Sequence, residues 1–214
     1  MSAGDWLADT RTSYDTVAAS YAEKMRGYLD QLPYMLAALS LFADQVRAGG
    51  DGPVADIGCG PGHITAHLRG LGLDAFGIDL SPAMIEVARR DHPGLRFETG
   101  SMTDLRLDDA SVAGLIAFWS LIHVPDELVP GVLGHFHRVL RPGAPLLAGF
   151  HTGDETRLKT EGYGGHPMKV YVHRRQPDQV TAWLRAAGFT VETTMLLGLD
   201  GDMPGAIIFA KAAA

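Results

Sequence analysis

Apolar positions along the chain change their period near residue 50. Between residues 13 and 46 they recur every three or four positions: Tyr14, Val17, Tyr21 and Met25, then Leu32, Met35, Leu36 and Leu39. That spacing predicts two helices with one apolar face each. The second opens near Pro33, whose fixed φ suits a first helical turn. Residues 1–12 are polar and are expected to be loose. Gly49-Gly50-Asp51-Gly52-Pro53 then breaks the pattern.

Beyond the break, short apolar runs alternate with helical segments. Strands are expected over 54–57, 75–79, 95–98, 112–119 and 145–150, and helices over 63–69, 82–90, 132–140 and 177–187. Ser81-Pro82 reads as an N-cap followed by proline at the first helical position. Segment 112–119 is nearly all apolar, as in a central parallel strand covered on both faces. Two closing strands are expected over 190–197 and 206–210, joined by Asp200-Gly201-Asp202. Residues 151–176 interrupt the rhythm with glycines, aromatics and histidines, and read as a long loop or lid. The expectation is a single α/β domain: a mostly parallel sheet with helices on both faces, a closing antiparallel hairpin, and a helical cap over residues 1–48.

A chain of 214 residues is enough for one domain with a sizeable core. The single cysteine, Cys59, excludes an internal disulfide and fits a reducing, cytoplasmic setting. Lys plus Arg number 18 against 25 Asp plus Glu, which argues against nucleic acid as the default partner. No apolar run approaches the roughly 20 residues that span a bilayer, and Met1-Ser2-Ala3-Gly4-Asp5-Trp6 lacks the order of a signal peptide. The nine histidines form no convincing metal site; His135 and His137 diverge on a helix.

Asp56-Ile57-Gly58-Cys59-Gly60-Pro61-Gly62 lies between an expected strand and helix. Glycines there allow a sharp turn and a close approach to the backbone. Asp79 ends the next strand, where a carboxylate can accept from both hydroxyls of a ribose. Together they point to an adenosine-containing ligand at the carboxyl edge of the sheet. A dinucleotide fingerprint would need glycine at 63; His63 stands there, which disfavours a nicotinamide-dependent dehydrogenase.

These motifs resemble the class I S-adenosylmethionine-dependent methyltransferases. The likeness runs over Val54 to Gly62, Gly77-Ile78-Asp79-Leu80-Ser81, Met84, Ala117 to Val124 and Leu140-Arg141-Pro142-Gly143, within about Tyr14 to Phe209. It implies a Rossmann-like sheet of seven strands, the last inserted antiparallel beside the fifth. It also implies S-adenosylmethionine as cofactor and S-adenosylhomocysteine as product; the in-line transfer itself requires no metal. Gly58, Gly60 and Asp56 should lie against the methionine part, Asp79 should hold the ribose, and Leu80 and Met84 should flank the adenine. Ser101-Met102 stands where relatives often place an acid and a small residue, so Ser101 departs from the pattern. Tyr14 and Tyr21 match a Tyr-Asp-x-x-Ala-x-x-Tyr pattern of small-molecule members, whose tyrosines close over the cofactor; the other reading is a helix face packed on the core.

Methyl transfer is an in-line displacement that needs alignment, and a proton acceptor when the methyl acceptor is a hydroxyl or ammonium. A neutral histidine suits that role. His123 and His151 follow the fourth and fifth strands at the ligand-bearing edge and are the candidate bases; the other reading of His123 is a bond to nearby backbone. Trp119 and Phe118 are candidates to line the pocket, and Tyr163 and His166 to form a lid. Residues 151–185 carry six basic against four acidic side chains. They suggest an anionic substrate group bound by Lys169 or an arginine such as Arg174, or a surface salt-bridge network. The expected acceptor is a small metabolite methylated on O or N. Abundant Ala, Gly and Arg hint at a bacterial source and natural-product tailoring. A protein or nucleic-acid methyltransferase and a non-catalytic S-adenosylmethionine-binding regulator remain as alternatives.

Overall fold

A computed structural model of the chain describes residues 5–201 and 203–213. The expected loose positions 1–4, and Asp202 of the expected closing turn, lie outside the described residues. The elements in order are α1 (Asp5–Met25), α2 (Pro33–Ala48), β1 (Pro53–Ile57), α3 (His63–Gly70), β2 (Asp74–Asp79), α4 (Pro82–Asp91), β3 (Phe97–Thr99), β4 (Gly114–Phe118) and α5 (Val129–Val139). They continue with β5 (Pro145–His151), β6 (Thr156–Glu161), β7 (Pro167–His173), α6 (Pro177–Ala186), β8 (Phe189–Leu197) and β9 (Gly205–Ala212). A seven-stranded sheet has the order β3-β2-β1-β4-β5-β9-β8, with β9 antiparallel to both of its neighbours. This is the Rossmann-like arrangement that the resemblance implied.

The sheet is covered on both faces, and β4 is buried at every position. Successive strand residues face opposite ways. Thus Leu115 and Ala117 pack with Val132 and Phe136 of α5, while Ile116 and Phe118 pack with Leu39 and Phe42 of α2 and Leu68 of α3. Continuous apolar runs are the signature of such doubly covered parallel strands. Among the described residues, no helix is long and apolar enough to cross a membrane.

Two expectations need correction. Residues 5–12 are not loose but form the first turns of α1. Trp6, Thr10, Tyr14, Val17 and Tyr21 follow one helical stripe, and the polar residues between them are its outer face. Nor is 151–176 a structureless loop. Its centre is the β6–β7 hairpin, a separate two-stranded antiparallel sheet. Gly162, Gly164 and Gly165 are confined to its tip, and Met168 and Val170 alternate inward to meet Val17 and Ala18 of α1. Small boundary shifts accompany these: β3 is 97–99 instead of 95–98, and α5 opens three residues early, with Pro130 in its first turn.

Candidate active site

The carboxyl ends of β1, β2 and β4 open into one cavity, with a wall from α1. Packing decides the glycines at the end of β1. Gly58 has φ +77°, and a Cβ there would lie 2.2 Å from Cβ of Ser120. Ser120 cannot retreat freely, because its hydroxyl donates to Ile57 O at 2.7 Å. The Gly58 and Cys59 amides both donate to Ile78 O, at 2.7 and 3.1 Å, which draws the turn against β2.

Asp79 closes this turn. Its Oδ2 accepts from Gly60 N at 2.7 Å and its Oδ1 from Ser81 N at 2.8 Å. Each oxygen keeps a second lone pair, and the residue lines the cavity. Burial raises its pKa in spite of these two amides. Ser81 caps α4, its Oγ accepting from Met84 N at 3.1 Å. The same hydroxyl donates to Asp15 Oδ1 at 2.5 Å, which also accepts from Ala83 N at 3.1 Å. A carboxylate of α1 thus sits on the N-terminus of α4, a favourable place for negative charge, and pins α1 across the cavity.

The opposite wall holds a hydrogen-bonded pair. Tyr14 Oη lies 2.7 Å from His123 Nε2, and His123 Nδ1 lies 2.9 Å from Tyr171 O. A carbonyl can only accept, so Nδ1 carries the proton and Nε2 accepts from the phenol. Burial is the main reason that the His123 pKa falls to about 4, so the ring is neutral at pH 7. Burial likewise drives the Tyr14 phenol upward. Arg175 braces the segment that bears His123: Nε donates to Asp126 Oδ1 at 2.9 Å, Nη1 to Leu121 O at 3.0 Å, and Nη2 to Val124 O. This guanidinium is only 1% exposed; it gives Leu121 O a second donor beside the Val124 amide and gives Val124 O a donor of its own.

Trp119 follows β4 with φ +50°, a costly conformation for a bulky residue that tends to mark functional sites. Its ring lies over Gly149, where a Cβ would come within 2.6 Å. Its Nε1 donates to His151 Nδ1 at 3.3 Å. On α1, the Trp6 indole N–H also borders the cavity and has no acceptor among the described residues.

Of the expected cofactor residues, Tyr14, Tyr21, Gly58, Gly60, Asp79, Leu80, Met84, Ser101, Met102 and Phe118 line the cavity, as do Trp119 and His123. The remaining candidates lie outside the cavity lining. Asp56 does not border the cavity: its carboxyl is buried and accepts from the Thr65 hydroxyl at 2.6 Å, and burial lifts its pKa to about 7. His151 stands behind Trp119. Tyr163 packs on the outer side of Tyr21 (ring centroids 4.6 Å apart), and His166 is exposed. Lys169 pairs with Asp9 at 2.7 Å, and Arg174 lies along Gly153. None of these side chains borders the cavity. Trp6, Thr10, Asp15, Ser120, Tyr171 and Arg175 were not anticipated. Asp15 had a signal, as the second residue of the Tyr-Asp pattern; Tyr171 acts through its carbonyl and had none.

A family model for the methyltransferase domain matches residues 54–143. Over 93 residues the chain is 34% identical to the malonyl-[acyl-carrier protein] O-methyltransferase of Pectobacterium atrosepticum, covering 44% of this chain and 36% of the relative. Over 155 residues it is 28% identical to the ubiquinone biosynthesis O-methyltransferase of Xanthomonas axonopodis, covering 65% and 63%. The chain therefore spans less than two thirds of the length of either relative. In fold it is similar to the solved complex of DhpI with SAH, with a TM-score of 0.76 at 20% identity over 97% of both chains. The matched segment 54–143, with the strand order built on it, supports a class I S-adenosylmethionine-dependent methyltransferase.

Proposed function

We propose that this chain transfers a methyl group from S-adenosylmethionine to an oxygen or nitrogen of a small-molecule metabolite. One observation carries the reading: the Tyr14–His123 pair and the Asp79 carboxylate face the same cavity. The site fits the cofactor on its own chemistry. Asp79 offers spare lone pairs to ribose hydroxyls, the turn at Gly58 and Gly60 offers bare backbone, and the Trp6 N–H has no acceptor among the described residues. Leu80, Met84, Ser101 and Met102 would hold the adenine end, and Tyr21, Phe118 and Trp119 the methionine end. When bound, S-adenosylmethionine supplies a methyl group on a positively charged sulfur. Aromatic faces of the kind that Phe118 and Trp119 carry favour positive charge.

The chain's own task is to orient the acceptor and take its proton. The acceptor proton passes to Tyr14 Oη as the phenol proton passes to His123 Nε2. The resulting imidazolium already has an acceptor for its second N–H, Tyr171 O. Because burial lowers its proton affinity, His123 releases that proton again and the pair resets. His151 acts through Trp119, holding the strained indole against the cavity. Two matching relatives are named as O-methyltransferases, one of malonyl-[acyl-carrier protein] and one of ubiquinone biosynthesis, which favours oxygen as the acceptor atom.

The test is incubation with methyl-labelled S-adenosylmethionine and an extract of the source cells, separated into metabolite, protein and nucleic-acid fractions. Label is expected in a metabolite and should vanish with Asp79→Ala. Label confined to protein or nucleic acid would move the assignment to a macromolecular acceptor. No label from protein that still binds S-adenosylhomocysteine would make it a non-catalytic binder.

A further inference from the structure

The β6–β7 hairpin carries a cation on its inner face. Lys159 sits directly across from Val170, and opposed residues on paired strands share a face. Val170 is fully buried against α1 and Lys159 is half-buried, so the lysine occupies a position where an apolar residue would pack. Its Nζ lies 4.0 Å from the centre of the Tyr163 ring. Lys24 of α1 brings a second ammonium to 5.3 Å from the same ring. That ring meets Tyr21 edge to face, and Tyr21 lines the cavity.

Two like charges converge here, and among the described residues neither ammonium has a carboxylate partner. The ring face offsets part of the repulsion. Burial and then Lys24 lower the proton affinity of Lys159, and the Lys159 charge in turn reaches His123. An anion would relieve both effects. Lys169, by contrast, is already paired with Asp9, so the cation expected there for an anionic substrate is better supplied by Lys159.

We propose that Lys159, with Lys24 beside it, seats a carboxylate or phosphate group of the methyl acceptor beside Tyr163, on the far side of the Tyr21 ring from the cavity. This rests on the methyl-transfer reading for what the ligand undergoes, though not for its binding. An acceptor that reaches from Tyr14 Oη past the Tyr21 ring would present its reacting atom to the Tyr14–His123 pair and its anion to Lys159. Its charge, in addition to its shape, then fixes which end enters.

The test uses protein saturated with S-adenosylhomocysteine and three probes of similar shape: benzoate, phenyl phosphate and benzamide. Binding is read by calorimetry and by ligand-observed magnetic resonance. At least one anion should bind about tenfold or more tightly than benzamide, and the stronger anion tells carboxylate from phosphate. Lys159→Met should weaken that anion about tenfold, Lys159→Arg should hold it within about threefold, and Lys24→Met should fall between. S-adenosylhomocysteine affinity should stay constant in all three variants, which separates loss of the seat from loss of the fold. Equal binding of benzamide, no loss with Lys159→Met, or no binding of either anion would overturn the proposal. Anion binding at Lys159 in protein that methylates nothing would leave the seat standing and remove only the transfer reading.

Discussion

Replacing Tyr14 by phenylalanine removes one oxygen and leaves the ring between Tyr21 and His123. The structure sets the size of the effect. His123 is lowered from an ordinary 6.5 to about 4 by burial, so placing a proton on it costs roughly 3 kcal/mol relative to an exposed imidazole. Without the phenol, His123 Nε2 loses its 2.7 Å partner and the acceptor loses its path to that nitrogen. Loss of a positioned proton acceptor slows a reaction about 100-fold or more. The assay is steady-state methyl transfer to the acceptor recovered by labelling, with S-adenosylhomocysteine affinity measured by calorimetry. Tyr14→Phe should lower kcat about 100-fold and change that affinity less than about threefold. His123→Ala should do the same, and the double variant should lose little more, because two members of one path do not lose activity additively. Losses that multiply in the double variant would refute the pair. So would a wild-type rate that falls with an inflection near 6.5, since a base held near 4 stays neutral, and the rate level, down to about pH 5.

Asp79→Ala removes the carboxylate and the clamp on Gly60 N and Ser81 N; S-adenosylhomocysteine affinity by calorimetry should fall about 100-fold or more, and a loss below about threefold would remove Asp79 from the site. Gly58→Ala forces Cβ against Ser120 at φ +77°, costing about 2–4 kcal/mol in urea unfolding; Gly58→Ala with Ser120→Gly should recover the steric share, and no recovery would refute the clash. Asp56→Asn tests a pH dependence of stability. The folded-state pKa of Asp56 is raised to about 7, so between about pH 4 and 7 the native state holds a proton that the unfolded chain has lost, and wild-type stability falls as pH rises through that window. The asparagine still accepts from Thr65 and lacks that loss, so its stability relative to wild type should climb by roughly 4 kcal/mol from pH 4 to 8; a constant difference would refute the raised value.

The parts of the site that could be read from the sequence are those that one short segment builds alone. The glycine turn after β1 and the carboxylate after β2 each sit at a strand end, and strand pairing carries Gly60 to Asp79 wherever the rest of the chain goes. Asp56 shows the limit of such reading: it belongs to the motif, but one step in strand phase turns its side chain to Thr65 in α3 and away from the cavity. The first turns of α1 were hidden for a different reason. A helix face that borders a cavity needs few large apolar residues, so Trp6 and Thr10 stand in a stretch that otherwise reads as polar. Glycines in the hairpin similarly obscured the alternation of Met168 and Val170.

The Tyr14–His123 pair was the least legible, and the reason is geometric. Tyr14 and His123 are 109 residues apart, and His123 and Tyr171 a further 48. The third partner contributes a main-chain carbonyl, which leaves no residue type to recognise. Arg175, which braces the same turn, reaches back to the carbonyls of Leu121 and Val124. Only the assembled sheet, with α1 fastened over it by Asp15 and the hairpin laid along α1, brings these segments to one wall. The residues that bear the cofactor motifs come from the sheet and the turns at its edge, whereas Tyr14 and Lys159 of the proposed acceptor site come from two additions to it, α1 and the β6–β7 hairpin, and meet His123 from the turn after β4. Substrate choice can therefore change through these two pieces while the sheet edge that binds the cofactor stays as it is.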